Sequence, residues 1–195
     1  MIESQLIALG IDGKWLEPLN AVMQKYEINT NLRKAAFIGQ CAHESNNFTR
    51  LEESLNYSPE RLMEVWPSRF PDLATAMKYA HQPQLLANKV YAGRLGNREE
   101  GDGYKFRGRG IIQITGRDEY FYCGNALKID TLTYPELLAI PENAAMSAGW
   151  FWNKKSLNQL ADLGDYETMT KRINGGLEGL ANRKAKIAHA KQVLG

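Results

Sequence analysis

Apolar side chains recur at helical spacing along most of the chain, a pattern that predicts a series of short helices. Residues 14–27, KWLEPLNAVMQKYE, place Leu16, Leu19, Met23 and Tyr26 along one face. Asn31 reads as the cap of a second helix, NLRKAAFIGQCAHES, in which Leu32, Ala35, Ile38 and Cys41 repeat every three residues. Ser58 followed by Pro59 is a cap with proline at the first helical position, opening SPERLMEVW. Pro71 and Pro83 start PDLATAMKYA and PQLLANKVYAG, and Pro141 starts PENAAMSAGWFWNKK. Asp165 opens DYETMTKRIN, which stops at Gly175-Gly176. A last helix from about Leu177 repeats Leu180, Ile187 and Leu194 with a period of seven. Over so short a stretch that period describes a docked amphipathic helix and not a coiled coil.

One region departs from this pattern. Seven of the 17 glycines lie between Gly93 and Gly116, in GRLGNREEGDGYKFRGRGIIQITG. Its first half reads as a turn-rich loop and its second half alternates as a strand does. The expected fold class is therefore mainly α with one small β-hairpin element. A glycine-dense insert in a helical protein is expected to be functional, because glycine permits close backbone approach to a ligand. The chain is read as a single domain, 1–195, with the proline-punctuated stretch 58–92 set apart as a small helical lobe.

Composition excludes several classes. Apolar residues make up 44% and charged residues 24%, close to the globular average, so disorder and fibrous repeats are out. No apolar run reaches the ~18 residues of a membrane span. MIESQLIALG lacks a basic start and a long apolar stretch, so synthesis in the cytoplasm without a secretory signal is expected. A net charge of +2 is too balanced for a nucleic-acid binder. The basic residues of the final helix, Arg183, Lys184, Lys186 and Lys191, read as a solvated face. Cys41 and Cys123 read as reduced packing residues.

Candidate chemistry centres on carboxylates. Glu44 emerges from the same side as Cys41 and Phe37 and sits in the last turn of its helix. An apolar base and the negative end of the helix dipole both disfavour the charged form, as a general acid near neutral pH requires. Cleavage of a glycosidic bond needs a second carboxylate, and Glu52 and Glu53 in LEESLNYS come next. If that segment is extended, Glu53 shares a face with Leu51 and Leu55, while Glu52 points to solvent. Glu99, Glu100 and Asp102 read as loop solubility. His43-Glu44 is not a zinc helix, because Asn47 stands where the second histidine is needed, and no metal or cofactor is expected. There is no G-x-S-x-G elbow, and the glycine loops lack the Gly-Lys-Ser/Thr ending of a phosphate loop.

The blocks AHESNNF, LEESLNYS, YKFRGRGIIQITGRDEY, AGWFW and RINGGLEGLANR, in that order, resemble glycoside hydrolase family 19, nearest to its bacteriophage endolysin branch. They run from about residue 35 to the C-terminus. The resemblance implies a lysozyme-like, mostly α fold with a substrate cleft, and inverting hydrolysis of β-1,4-linked amino-sugar polymers of the lysozyme type. It places the general acid on Glu44, the second acid on Glu53, and the hydroxyl that helps hold the attacking water on Thr115. Gln113 and Asn174 match sugar-contacting positions, and Arg183 matches an arginine near the acids. Tyr57, Tyr104 and Phe106 are candidate platforms for sugar rings, whereas Trp150, Phe151 and Trp152 are assigned to the core. On a strand, Gln113 and Thr115 would present both side chains to one face.

The expected partner is the glycan of peptidoglycan, bound by a monomer that neither inserts in the membrane nor binds nucleic acid. Action in the periplasm or wall would follow release of holin type. Lytic transglycosylation using Glu44 alone, a chitinase, and a noncatalytic wall-binding module are the alternatives.

Overall fold

The computed structural model describes residues 1–195. In chain order the helices are α1 (Glu3–Ala8), α2 (Leu16–Lys25), α3 (Asn31–Glu44), α4 (Pro59–Val65), α5 (Leu73–Met77), α6 (Pro83–Val90), α7 (Asp102–Lys105), α8 (Arg117–Leu127), α9 (Pro141–Lys154), α10 (Leu157–Leu163), α11 (Tyr166–Asn174) and α12 (Leu180–Leu194), with 3-10 turns at Gly13–Trp15 and Pro135–Ala139. The chain divides into two units. One comprises Met1–Leu51, Gly110–Gln113 and Glu136–Gly195, and the other Glu52–Arg109 and Ile114–Pro135.

The first unit is organised around α3. Every residue from Ala35 to Ala42 is buried, so this helix is packed on all sides and its apolar repeat marks only part of its contact surface. Leu32, expected on that repeat, is exposed in the first turn. The cap is Thr30 and not Asn31: Thr30 has extended backbone and its hydroxyl accepts from Arg33 N at 3.2 Å. α12 lies against α3. A Cβ on Gly39 would sit 2.7 Å from the Ile187 backbone nitrogen, so this glycine lets the two backbones approach. Gly39→Ala is expected to destabilise the protein by about 1–3 kcal/mol, read as a lower denaturation midpoint at unchanged slope.

α12 begins three residues later than expected, after Gly179 at φ +72°, and Leu177 is exposed. It buries Arg183, Ile187, Ala190 and Leu194, a three-four spacing that includes Ile187 and Leu194 of the expected period of seven, while Leu180 is only half-buried. Arg183 is therefore not surface decoration. In AGWFW, Gly149 leaves room for Val22 and Tyr26 of the α2 segment. Trp152 is fully buried and meets Phe37 edge-on at 5.3 Å. Phe151 packs partly on that core, while Trp150, expected inside, is half-buried with the Lys154 ammonium 4.8 Å over its ring.

The second unit has its own core of Leu55, Leu62, Phe70, Ala76, Leu86, Ala87 and Val90. The segment 58–92 supplies most of it, with ring contacts linking Tyr57, Trp66, Phe70 and Tyr79. Ser58 caps α4 through Arg61 N at 3.3 Å, with Pro59 in the first turn, as the sequence predicts. α8 was not anticipated, because its buried residues Tyr120, Cys123 and Gly124 make too narrow a stripe to stand out.

The expected hairpin reduces to two isolated bridges, Glu52 with Arg109 and Arg109 with Ile114. The second closes the turn Gly110–Gln113, where Gly110 has φ +82° and Gln113 φ +55°, neither compatible with a strand. Ile111 and Ile112 are both buried in the first unit's core, so the apolar run reflects a turn plugged inward and not strand alternation. Gln113 and Thr115 consequently do not form the one-faced strand pair. Gln113 belongs to the first unit and Thr115 to the second.

Candidate functional site

In the first unit, α3 ends at Glu44 because the chain turns sharply behind it. The Ser45 hydroxyl donates to Cys41 O at 2.7 Å and accepts from Phe48 N at 2.8 Å. Asn46, Asn47 and Phe48 then all take left-handed backbone, with φ of 50°, 55° and 62°. Asparagine tolerates this conformation, but phenylalanine is strained in it. Burial of the Phe48 ring, centred 5.3 Å from that of Trp15, offsets the strain. The sequence SNNF thereby holds Glu44 at a fixed helix end.

The Glu44 side chain keeps 20% of its exposure, and Arg183 Nη2 lies 2.6 Å from its Oε1. The approach is off the hydrogen-bond axis, so the oxygen is paired by charge. Arg183 is itself 2% exposed, and its Nη1 donates to Gln40 Oε1 at 2.7 Å. Gln40 is fully buried, and its amide nitrogen has no partner. The backbone oxygen of Glu44 accepts from Arg50 at 3.3 Å. The sequence pattern gave Glu44 an apolar base and a helix end, whereas the structure also sets a buried guanidinium against its carboxylate. Below Glu44, burial and the neighbouring carboxylate push the Cys41 thiol well up, so it stays protonated packing.

In the second unit, both oxygens of Glu53 are engaged. Oε1 accepts from the Tyr91 hydroxyl at 2.8 Å and Oε2 from Gly108 N at 3.2 Å. Glu53 N in turn donates to Gly108 O at 2.9 Å. Burial, and then the Glu53 carboxylate, push Tyr91 far above the usual phenol range, so it remains a hydrogen-bond donor. Glu52, expected to be a solvated charge, is instead bonded to Arg107, with Arg109 Nε 3.7 Å away. Asp102 is no solubility residue either, being 3% exposed. Burial alone would raise its carboxyl, but the N–H groups of Glu99 and Arg98 and the Arg117 guanidinium hold it below its ordinary value. It organises the glycine loop.

The remaining expected site residues are dispersed over both units. Thr115 is half-buried at the start of the α8 approach. The Gln113 side-chain amide donates to Gly110 O at 3.0 Å, bracing the turn. Asn174 is exposed as the last residue of α11, ahead of Gly175 at φ +78°. Tyr104 is half-buried with the Arg107 guanidinium 4.2 Å from its ring centre, so one face is already covered. Tyr57 is half-buried against the second unit's core. Phe106 is fully buried and cannot serve as a platform. Gln40 and Tyr91 were not picked out from sequence. For Gln40 the available signal was a polar residue inside an unbroken apolar helix segment, and for Tyr91 there was none.

No family model matches the chain. It is 40% identical over 169 residues to a "Glycosyl hydrolase family 19 domain-containing protein" of Haemophilus influenzae, covering 86% of this chain and 82% of that one. It is 28% identical over 173 residues to an endochitinase of Carica papaya and 29% identical over 128 residues to an "Inactive chitinase-like protein 1" of Hevea brasiliensis. The chain spans 64% and 35% of those two plant proteins. Among solved structures, chitinase C from Streptomyces griseus superposes with a TM-score of 0.66 at 19% identity, covering 99% of this chain and 76% of that one. A bacterial family 19 chitinase gives 0.66 at 21% identity, covering 100% and 94%. At such identities these structures speak to the fold, and they bear out the expectation of a mainly α, lysozyme-like architecture.

Proposed function

The chain belongs to glycoside hydrolase family 19, and on that premise we propose that it hydrolyses the β-1,4-linked glycan of bacterial peptidoglycan with inversion. Glu44 in its protonated form gives a proton to the glycosidic oxygen, and Glu53 takes one from the attacking water. An inverting pair works with its carboxyl groups roughly 6.5–9.5 Å apart, leaving room for that water. Thr115 helps hold the water, and Gln113, Asn174, Tyr104 and Tyr57 contact sugar. Arg183, inaccessible behind Glu44, orients the acid in place of touching substrate. The observation that carries the reading is the anchoring of Glu44 by a buried arginine at a strained helix end, since fixing a reacting carboxylate is what such strain achieves.

Peptidoglycan is favoured by the endolysin-type block LEESLNYS, in which the second glutamate follows the first closely. Action would then be on the wall side of the membrane, after release from the cytoplasm. A chitinase is the second reading, favoured by the names of the plant relatives. Product analysis on purified peptidoglycan and on colloidal chitin tests both. Inverted reducing ends from peptidoglycan are expected, anhydro ends would mean transglycosylation, and equal rates on chitin would favour the chitinase. Tyr91→Phe, which removes one hydrogen bond from Glu53, is expected to lower kcat about tenfold while the protein stays folded. An unchanged kcat would remove Tyr91 from the site.

A further inference from the structure

The outer face of α8 carries a surface that the chemistry of Glu44 and Glu53 leaves unused. Phe121 and Tyr122 are 46% and 54% exposed, with ring centroids 5.5 Å apart and planes inclined at 65°. The helix buries Tyr120, Cys123 and Gly124 and leaves both of these rings about half exposed. Two hollows flank them, one of about 430 Å³ bordered by Arg98 and Asp118, the other of about 400 Å³ bordered by Asn125 and Asp130. Phe121 and Leu132 line both, so the hollows adjoin as one elongated trough. Each falls within the roughly 300–1,000 Å³ of ordinary ligand sites. Neither includes Glu53, Tyr91 or Gly108.

The trough is pre-formed. A Cβ at Gly124 would lie 2.3 Å from Thr131 Oγ1 and 2.8 Å from Ile129 O, so only glycine lets the 129–131 loop close on the helix. Thr131, 1% exposed, donates to Tyr120 O at 2.6 Å, and Ile129 N donates to Gly124 O at 3.0 Å. That lock holds Leu132 beside the helix. The walls are nearly neutral: Arg98 faces Asp118 at 3.9 Å, Arg117 is engaged by Asp102 at 2.9 Å, Lys128 shares the lining with Asp130, and Glu99 adds one further acid. A polyanion would need uncompensated basic groups, which are absent here. Half-exposed aromatic rings among neutralised polar groups suit a ligand with apolar ring faces and hydroxyl or amide edges, which is the chemistry of a pyranose.

We propose that this trough is a second saccharide site, which holds an N-acetylated peptidoglycan strand outside the catalytic carboxylates and keeps the enzyme on its polymer. The choice of glycan rests on the hydrolase reading. A Glu44→Gln chain, which leaves the wall intact, is expected to sediment with purified peptidoglycan. Adding Phe121→Ser and Tyr122→Ser should weaken that binding about tenfold, the scale of truncating two interface aromatics. In the otherwise unaltered enzyme the same two changes should leave kcat on a soluble N-acetylglucosamine hexamer within about twofold. In the folded Glu44→Gln chain, the hexamer should shift the amide resonances of residues 121–132. Unchanged sedimentation, an equal loss of hexamer turnover, no shift at 121–132, or binding to chitin but not to peptidoglycan would each overturn the proposal. Aromatic-dependent sedimentation by a chain whose unaltered form cleaves no glycan would uphold the trough and defeat the hydrolase reading instead.

Discussion

Replacing Glu44 by glutamine is expected to lower the turnover of peptidoglycan by at least ~100-fold, within the 10²–10⁴ that general acid catalysis contributes. The carboxamide matches the carboxyl in size, and its oxygen can still face Arg183, so the helix end and its strained turn should persist. What it lacks is the proton for the leaving oxygen. Loss of rate with undiminished wall binding is the expected combination, together with a lower melting temperature, because the buried Arg183 guanidinium loses its counter-charge. A variant that clears purified walls at near wild-type rate would remove Glu44 from the reaction.

The second large effect concerns stability. Arg183 is buried and divides its guanidinium between Glu44 and Gln40. Arg183→Met keeps the apolar stem but leaves a mostly buried carboxylate and a buried amide without their partner. Breaking one side of a buried pair costs about 3–5 kcal/mol, a fall of roughly 10 °C in Tm for a chain of this length. A double variant with Glu44→Gln should cost clearly less than the sum of the two single changes, because the orphaned charge is removed together with its partner. Strict additivity in thermal or urea unfolding would show that the two side chains are not coupled.

The helices were largely legible in the sequence because their ends are local events. Thr30, Ser58 and Asp165 cap through their own side chains, and Gly175 stops α11 through its own backbone, all within four residues of the groups they satisfy. The first of these was missed by one position, since Thr30 and Asn31 are both competent caps and only the backbone conformation separates them. The strand expected in GRGIIQITG failed for a different reason. Apolar residues in a tight turn and on a strand look alike until it is known which core receives them, and Ile111 and Ile112 both enter the first unit's.

Glu44 stood out as a candidate in the sequence because a glutamate on an apolar helix end breaks a local rule, whereas Glu53 was picked by the phase of an assumed extended segment and by the family resemblance. The surroundings of the two acids were not legible there. Arg183 meets Gln40 across 143 positions of chain, and Tyr91 meets Glu53 across 38. No local pattern encodes such pairings, since they depend on how helices distant in sequence are brought to one place. The sequence by itself determined the local starts or stops of several helices, α4, α6, α9 and α11 among them, and that Glu44 stands at an unfavourable helix end. Only the tertiary structure decided that Glu44 is held by a guanidinium, that Glu53 has both oxygens engaged, and that Glu52 is bound by arginines. Short-range hydrogen bonds follow from neighbours in the chain, whereas the charge around a buried carboxylate follows from neighbours in space.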